Sequence, residues 1–521
     1  MSGAAPDNAR SEALKKNVTV AAALVMVMNL VAKVLGFLRE MVIARVYGAT
    51  MFTDAYLVAY SLPSAAQQII GWAIVSVAVP LLTKRIVAGE EQGLRETANS
   101  FLCSTALLMA ILSVVGMVAS PLLVRITAPS LDGETTALAV EMMRILFPAV
   151  LFYCIGMVLT GILHAHRRFV VAAFAPAFSS ILVIAAVLLT GRAFGIWGLV
   201  LGTLVSFIGF ALIQVPSARL TGWRWHFELP RRNNEINTAL MNLIPIILGM
   251  SVNQIYYMLN RFFASGLAEG SISALNYGSK LAQFPAGVFV SAIAVTIYPL
   301  LTEYAVRGDK EKLRHTLEKG LGIVLLLTVP AAVGLIVLRV PIVRILFEHG
   351  AFTSADTLAA SSALMYYSIG TVAYSLILVL LRVFFAFSDI KTPVLAGLCG
   401  IAANILVSMA TMNGMAHDGL ALATTMGSIV NMLVFFLCLP RHLSKMDFSP
   451  LLISTAKILL ASVLMGAAVK GVMALSAHLG DLFVIVCGLV VGILCYAVFA
   501  VLLRTREMSW VKEMLSRRLR R

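Results

Sequence analysis

The chain has 521 residues, of which 60% are hydrophobic and only 12% are charged, and its mean hydropathy is +0.93. A soluble globular domain carries about 25% charged residues, so this composition excludes a soluble enzyme or binding module and indicates an integral membrane protein. The net charge of +15 would suit a nucleic acid only if the basic residues formed one continuous surface.

Long apolar stretches follow one another along the chain, and each is long enough to cross a bilayer as a helix. They predict fourteen spans at 18–46, 54–83, 98–124, 137–163, 170–190, 196–216, 236–264, 273–302, 317–338, 357–387, 393–412, 419–439, 450–475 and 482–503. No short apolar segment with a small-residue cleavage site precedes the first span, so we expect that span to be retained. The stretch 339–356 is more polar and predicts an amphipathic piece at the membrane interface.

The loop charges predict the orientation of the spans. With a cytoplasmic N-terminus, the inside segments hold most of the lysines and arginines, whereas the outside loops hold only Arg192, Arg339 and Arg344. The positive-inside rule then places both termini in the cytoplasm. Because the cations are spread over many short loops, no nucleic-acid partner is expected. The basic tail predicts a surface helix attracted to anionic lipid, with a partner-binding tail as the alternative.

Two short sequence matches indicate an internal repeat. AVPLLT at 78–83 resembles IYPLLT at 297–302, and HAHRRFVVA at 164–172 falls opposite FAFSDIKTP at 385–393 at nearly the same offset. A duplication of six spans predicts two lobes related by an axis along the membrane normal, with a cavity between them. The expected fold is an all-α polytopic membrane protein with an N-lobe at 1–233, a C-lobe at 234–446 and two additional helices at 447–521.

The sequence favours a transporter over an enzyme. It contains no nucleophile elbow, no HExxH and no paired carboxylates beside a histidine, and the outside loops are short. The six cysteines lie in apolar segments without a CxxC pair, so we expect small packing residues and no metal, disulfide or redox centre. No cofactor is expected; the membrane potential is the expected driving force, and sodium or proton coupling stays open.

Charged side chains inside apolar spans mark the candidate site. A lone cation at mid-bilayer costs at least ~2.5 kcal/mol, so Lys33, in the stretch AKVLGFLRE at 32–40, is expected to face protein or water. Cations outnumber acids among these residues, so the predicted cavity is net positive and suits an anion of about two negative charges. The candidate substrate-binding residues are Lys33, Arg39, Glu40, Asp54, Arg261 and Lys280.

Structural alternatives stand beside this interpretation. Glu40 could pair with Lys33 or Arg39 simply to lock two helices, whereas in the functional interpretation Gly36 permits a bend or a close approach that lets both cations converge on one cavity. Arg382 and Lys457 are better explained as residues reaching the inside interface. A small-cation site using Asn260 or Asn404 is a further alternative. Four intramembrane asparagines are expected to hydrogen-bond between helices: Asn260, Asn276, Asn404 and Asn431.

Several stretches carry a resemblance to a known family. AKVLGFLRE, followed by ARVYGAT and TDAYLVAYSLP, resembles the first two helices of the MurJ (MviN) lipid II flippases, which belong to the multidrug/oligosaccharidyl-lipid/polysaccharide exporter superfamily. Further matches are ASGLAEGSISALNYGSKLAQFPAGV at 264–288, FEHGAFTSAD at 347–356 and SDIKTPV at 388–394. The likeness extends from about residue 18 to the end of the twelfth span.

The resemblance implies a substrate and a mechanism. The substrate would be lipid II, an undecaprenyl pyrophosphate bearing a disaccharide-pentapeptide, moved from the inner to the outer leaflet of the bacterial cytoplasmic membrane by alternating access. Its partners would be that lipid, the surrounding membrane lipids and, as an open possibility, cell-wall synthesis proteins. Charges important to the family stand at the positions of Lys33, Arg39, Glu40, Asp54 and Lys280. We expect the three cations among them to hold the pyrophosphate while Glu40 holds Arg39 in the empty state.

The chain departs from the family pattern at several positions. Lys33 and Lys280 stand where arginine is usual, and lysine keeps the charge but loses the bidentate fork. Gln67 and Gln68 stand where some members carry an arginine pair, and Ser279 replaces an acidic residue of some members. Two rival functions stay open: a flippase for another polyprenyl-linked saccharide, such as an O-antigen or teichoic precursor, and a membrane-embedded glycosyltransferase or ligase.

Overall fold

The computed structural model of the chain describes residues 5–226, 234–443 and 449–508. All regular structure in these ranges is helical. The helices are α1 Ala5–Tyr47, α2 Met51–Val87, α3 Glu91–Thr127, α4 Gly133–Leu146, α5 Pro148–Ala165, α6 Phe169–Phe194, α7 Ile196–Leu212, α8 Val215–Arg219, α9 Asn234–Met241, α10 Leu243–Ala264, α11 Ser271–Pro285, α12 Ser291–Arg307, α13 Lys310–Val337, α14 Arg339–Phe347, α15 Ser354–Ala386, α16 Lys391–Cys438, α17 Ser449–Ser476 and α18 Asp481–Leu502. A π-helical segment, Ala286–Val290, joins α11 to α12.

Eleven helical stretches within the described residues are long and apolar enough to cross a membrane. The predicted spans at 393–412 and 419–439 fall in one of them, because α16 runs through both, with a non-helical residue at Ala416 between them. The predicted spans at 18–46 and 236–264 are not among the eleven. The polytopic all-α class is therefore confirmed, and the number fourteen stays a prediction. The predicted interfacial piece at 339–356 contains the short helix α14.

The internal repeat predicted from two short matches extends to the helix boundaries. The helices α2, α3, α4 and α6 begin at residues 51, 91, 133 and 169, and α11, α13, α15 and α16 begin at 271, 310, 354 and 391. Left-handed turn residues recur in the same way, with Gly89 matching Gly308 and Arg167 matching Ser388. The duplication is confirmed at the level of secondary structure.

The chain divides into two compact units, Met1–Gln254 and Ile255–Arg521. The predicted domain boundaries at 233 and 446 lie outside the described residues, as does the basic tail from 509 onward, so these stay predictions. Within the first unit α1 packs on α6, α2 packs on α4 and α5, and α7 packs on α5 and α6. A hydrogen bond from the Tyr47 hydroxyl to the Gly195 carbonyl, 3.0 Å long, ties the end of α1 to the turn after α6.

In the second unit, α15 lies at the centre and contacts α11, α12, α13, α14 and α16. The core of the second unit is a cluster of leucine, valine and phenylalanine side chains, with Phe384 of α15 packed against Phe435 of α16. The last two helices, α17 and α18, pack against each other and on α13. The Tyr496 hydroxyl of α18 donates to the Leu326 carbonyl of α13 at 2.8 Å.

Candidate functional site

The ion pair predicted in AKVLGFLRE is present in α1. Arg39 Nη2 donates to Glu40 Oε1 at 2.8 Å, and the two side chains are 26% and 11% exposed. Adjacent residues of a helix diverge by about 100°, so the long arginine side chain bends around the helix to reach its neighbour. The pair brings two opposite charges together inside the predicted first span, which lowers the cost of placing either charge there.

The other candidate residues of the first unit lie on α1 and α2. Lys33 is exposed on α1, and at 1.5 Å per residue its Cα lies ~9 Å along the axis from that of Arg39. Asp54 is only 5% exposed and lies in the first turn of α2, where the helix dipole favours a carboxylate. A Cβ added at Gly36 would have no neighbouring atom within 4 Å, so the described structure contains no close approach at that glycine.

The candidate residues of the second unit lie on α10 and α11. Arg261 is half-buried in the last turn of α10, and Lys280 is exposed about two thirds of the way along α11. Beside Arg261, Asn260 Nδ2 donates to Thr424 Oγ1 of α16 at 2.9 Å, which confirms the interhelical role predicted for this asparagine. Asn404 is fully buried, and neither atom of its amide has a hydrogen-bond partner within the protein.

A cavity of about 210 Å³ lies among the helices of the first unit. Helices α1, α2, α5, α6 and α7 contribute its walls. Arg39 lines it together with Tyr60, Gln67, Tyr153 and Phe210. Five segments separated by up to about 180 residues meet here, and only helix packing brings them together, so no local sequence pattern could have predicted the cavity.

The two motifs of the second unit that carry the resemblance pack against each other. Tyr277, from the stretch 264–288, has its ring centroid 5.0 Å from that of Phe347 and 5.6 Å from that of Phe352, both from the stretch 347–356. Phe347 is fully buried, and Phe352 is 2% exposed. This contact gives the motifs a structural role, because the aromatic cluster fixes the start of α15 against α11.

The third motif, SDIKTPV, builds the turn between α15 and α16. Asp389 accepts hydrogen bonds from the Thr392 backbone at 3.0 Å and the Thr392 hydroxyl at 2.7 Å, and it contacts His442 Nε2 at 2.9 Å. Partial burial raises the pKa of Asp389, but the bonds from His442 and Thr392 outweigh it and lower that pKa to about 2. The His442 ring also stacks on Phe387 at 4.7 Å.

One further charged residue contacts an aromatic ring. The Arg382 guanidinium lies 5.5 Å from the ring centroid of Tyr298, a cation–π contact in the last part of α15, and its predicted place at the inside interface stays a prediction. Within the described ranges, histidine, cysteine, aspartate and glutamate form no group of three that could hold a metal ion. The cysteines of those ranges are all unpaired thiols.

Comparison with known proteins identifies the family. The family model described as "Lipid II flippase MurJ" matches residues 43–491. The probable lipid II flippase MurJ of Vibrio cholerae serotype O1 is 30% identical over 442 residues, covering 81% of this chain and 82% of that protein. The lipid II flippase MurJ of Burkholderia cenocepacia is 29% identical over 429 residues, covering 80% and 82%.

Solved structures show the same fold. A MurJ structure in an inward closed conformation has a TM-score of 0.79 at 24% identity, and the match covers 92% of this chain and 99% of that one. An inward-facing MATE family transporter of the MOP superfamily has a TM-score of 0.66 at 17% identity, covering 81% and 98%. The family predicted from the short motifs is thus confirmed, and the chain belongs to the MurJ family of lipid II flippases.

Proposed function

We propose that this chain moves lipid II, the polyprenyl-pyrophosphate-linked precursor of peptidoglycan, from the inner to the outer leaflet of the bacterial cytoplasmic membrane. The observation that carries the proposal is the family match over residues 43–491, which includes the whole second repeat and all of the first except most of its first span. The chain acts as a transporter by alternating access and performs no covalent chemistry. Both termini face the cytoplasm, in keeping with the excess of lysine and arginine in the predicted inside loops.

The pyrophosphate is proposed to bind Lys33, Arg39 and Lys280. Phosphate oxygens form strong charge-assisted hydrogen bonds with lysine and arginine, and these three cations lie in spans predicted from the sequence, where an unneeded charge would be costly. Arg261 adds positive charge to the proposed site, and the buried Asp54 is included because carboxylates are few in the apolar spans.

Glu40 is proposed to hold Arg39 in place while no substrate is bound. The 2.8 Å contact between the two side chains supports this role, since it keeps the guanidinium ordered and partly neutralised. Substrate phosphate would then compete with Glu40 for Arg39. A substrate shifts the equilibrium between inward-open and outward-open states only through different affinities for the two states, and this exchange of partners supplies such a difference.

Complementation tests the function directly. The full chain is expressed in a bacterium depleted of its own lipid II flippase, and lipid II in the outer leaflet is assayed chemically. The variants Lys33→Ala, Arg39→Ala and Lys280→Ala are compared with Lys310→Ala, an exposed lysine at the start of α13 that serves as the matched control. Immunoblots of membrane fractions check that every variant is inserted at the wild-type level.

We expect wild type and Lys310→Ala to restore translocation, and each of the other variants to lower it at least tenfold. Equal rescue by all variants would leave the function in place and remove the three cations from the substrate site. If well-expressed wild type does not restore translocation, lipid II is not its substrate, and another polyprenyl-linked saccharide becomes the favoured one.

A further inference from the structure

The cavity of the first unit contains a buried amide with an unused donor. Gln67 of α2 is 3% exposed and lines the cavity. Its Oε1 accepts a hydrogen bond from the Tyr60 hydroxyl at 3.3 Å, which orients the amide, while its Nε2 has no partner within the protein. A buried donor without an acceptor is unfavourable, so a ligand that supplies an acceptor oxygen would be bound preferentially.

The charge at the cavity favours a neutral ligand. Among the described residues that line it, Arg39 is the only one with a formal charge, and its guanidinium is bonded to Glu40 at 2.8 Å. The other lining side chains are amides, hydroxyls, aromatic rings and small apolar groups. A pyrophosphate would find one cation here, shared with Glu40, whereas an uncharged polar group costs far less to desolvate and needs only hydrogen bonds to offset that cost.

The walls of the cavity combine aromatic rings with hydrogen-bonding groups. Tyr153 stacks on Phe210 with ring centroids 4.9 Å apart and meets Phe207 edge-on at 5.5 Å, so these rings form a fixed surface. A sugar ring has an apolar C–H face that packs on such a surface and a polar rim that reaches amides and hydroxyls. Whole drug-sized ligands occupy sites of roughly 300–1,000 Å³, and the cavity of about 210 Å³ is smaller, which suits a single ring.

We infer that this cavity binds one N-acylated sugar ring of the lipid-linked substrate, with the acyl carbonyl oxygen accepting a hydrogen bond from Gln67 Nε2. A carbonyl oxygen matches this donor because it accepts without adding a donor of its own. The inference rests on the proposed function and deepens it: Arg39 and the other cations bind the pyrophosphate, and the uncharged remainder of the cavity lining selects the saccharide.

Binding measurements on the purified full chain in lipid nanodiscs test this assignment. Three probes are compared: a short-chain prenyl pyrophosphate carrying N-acetylglucosamine, the same lipid carrying glucose, and the bare prenyl pyrophosphate. We expect wild type to bind the N-acetylglucosamine lipid about fivefold more tightly than the glucose lipid, the ratio expected for one hydrogen bond. Gln67→Met should abolish that ratio and leave the affinity for the bare lipid unchanged.

The matched control is Gln92→Met, the same substitution at an exposed position of α3, which should keep the wild-type ratio. Equal affinity of wild type for both sugar lipids overturns the inference without any variant, as does a ratio that survives in Gln67→Met. Equally tight binding of free methyl N-acetylglucosaminide would assign the cavity to free sugar and also overturn it. Failure of all three lipids to bind wild type would instead overturn the proposed function.

Discussion

Gly195 and Ala416 lie 221 positions apart and have nearly the same unusual backbone conformation, with φ 55° and ψ −139° at Gly195 and φ 48° and ψ −129° at Ala416. Each interrupts a pair of spanning helices at the same point of its repeat. Three residues later, Gly198 and Gly419 each pack closely on a threonine of the preceding helix. The turn and its packing contact therefore occur together in both repeats, although only the first repeat has glycine at the turn position itself.

This relationship predicts that Ala416→Gly stabilises the protein. A positive φ combined with a ψ near −130° is a region occupied almost only by glycine, and a Cβ there costs of order 1–3 kcal/mol. Part of this stabilisation is offset, because glycine gives the unfolded chain more conformational entropy to lose on folding. We therefore expect Ala416→Gly to raise the free energy of unfolding by about 1 kcal/mol, measured by thermal unfolding in detergent.

The reciprocal control is Gly195→Ala. No atom lies within 4 Å of a Cβ built at Gly195, so any loss of stability there reports backbone strain and not a clash. Gly195→Ala should lower the free energy of unfolding by at least as much as Ala416→Gly raises it. If Gly195→Ala lowers the free energy of unfolding but Ala416→Gly does not raise it, then Ala416 is not strained in the folded protein.

Sequence patterns predicted the features that depend on neighbouring residues. The apolar spans, the Arg39–Glu40 pair and the turn between 412 and 419 all follow from local composition, and the repeat follows from matched short stretches. The cavity at Gln67 could not be predicted, because five helices distant in sequence form it. The break between α4 and α5 was also missed. Pro148 follows Phe147 there inside an otherwise uniform apolar span.

Gly278 is expected to be required for the packing of α11 on α15. A Cβ at this position would lie 3.0 Å from both the Ala360 carbonyl oxygen and the Leu364 backbone nitrogen, and backbone atoms cannot move aside as a flexible side chain can. Gly278→Ala should therefore lower the free energy of unfolding by about 1–3 kcal/mol, the usual cost of overpacking. Thermal unfolding of the purified protein measures it.

Gly414→Ala provides the matched comparison for Gly278→Ala. It makes the same change in a helix at a glycine with no atom within 4 Å of the added Cβ. Because alanine has the higher helix propensity, this variant should be neutral or slightly stabilised. Equal behaviour of the two variants would contradict a packing role for Gly278.

Asp389 should contribute stability that depends on pH. Its pKa falls from 3.8 in the unfolded chain to about 2 in the folded protein, so the folded state binds fewer protons in that range. The stabilisation is fully present above pH 4 and is lost as the pH falls through 2. At pH 7 we expect Asp389→Asn to cost about 2 kcal/mol, since asparagine can still accept the hydrogen bond from the Thr392 backbone but loses the charge facing His442.

The measurement is the unfolding free energy of wild type and Asp389→Asn between pH 7 and pH 2.5. The difference between them should be constant down to about pH 5 and shrink below pH 4. His442→Phe keeps a ring stacked on Phe387 and removes the hydrogen bond, so it should reproduce part of the loss. If the difference in unfolding free energy between wild type and Asp389→Asn does not change with pH, the charge of Asp389 does not contribute to stability.

The Arg39–Glu40 pair allows a structural role to be separated from a transport role. Removing one partner of a fully buried ion pair leaves an uncompensated charge and costs about 3–5 kcal/mol. This pair is partly buried, so Glu40→Gln and Arg39→Met should each destabilise the protein by less than that. Replacing both, in Arg39→Met/Glu40→Gln, removes both charges and should recover most of the stability. Thermal unfolding of the three variants in detergent measures the coupling.

Translocation should not recover in that double variant. If Arg39 contacts the pyrophosphate, restoring stability leaves the substrate site short of a cation, so transport of lipid II stays at least tenfold below wild type at equal membrane levels. Recovery of transport together with stability would show that the pair only fixes α1. Arg344→Met/Asp481→Asn, which removes an exposed ion pair joining α14 to α18, serves as the control and should transport normally. The transport assay of this one double variant separates the two roles. A purely structural role of the pair predicts that transport recovers with stability, whereas contact of Arg39 with the substrate predicts that it does not.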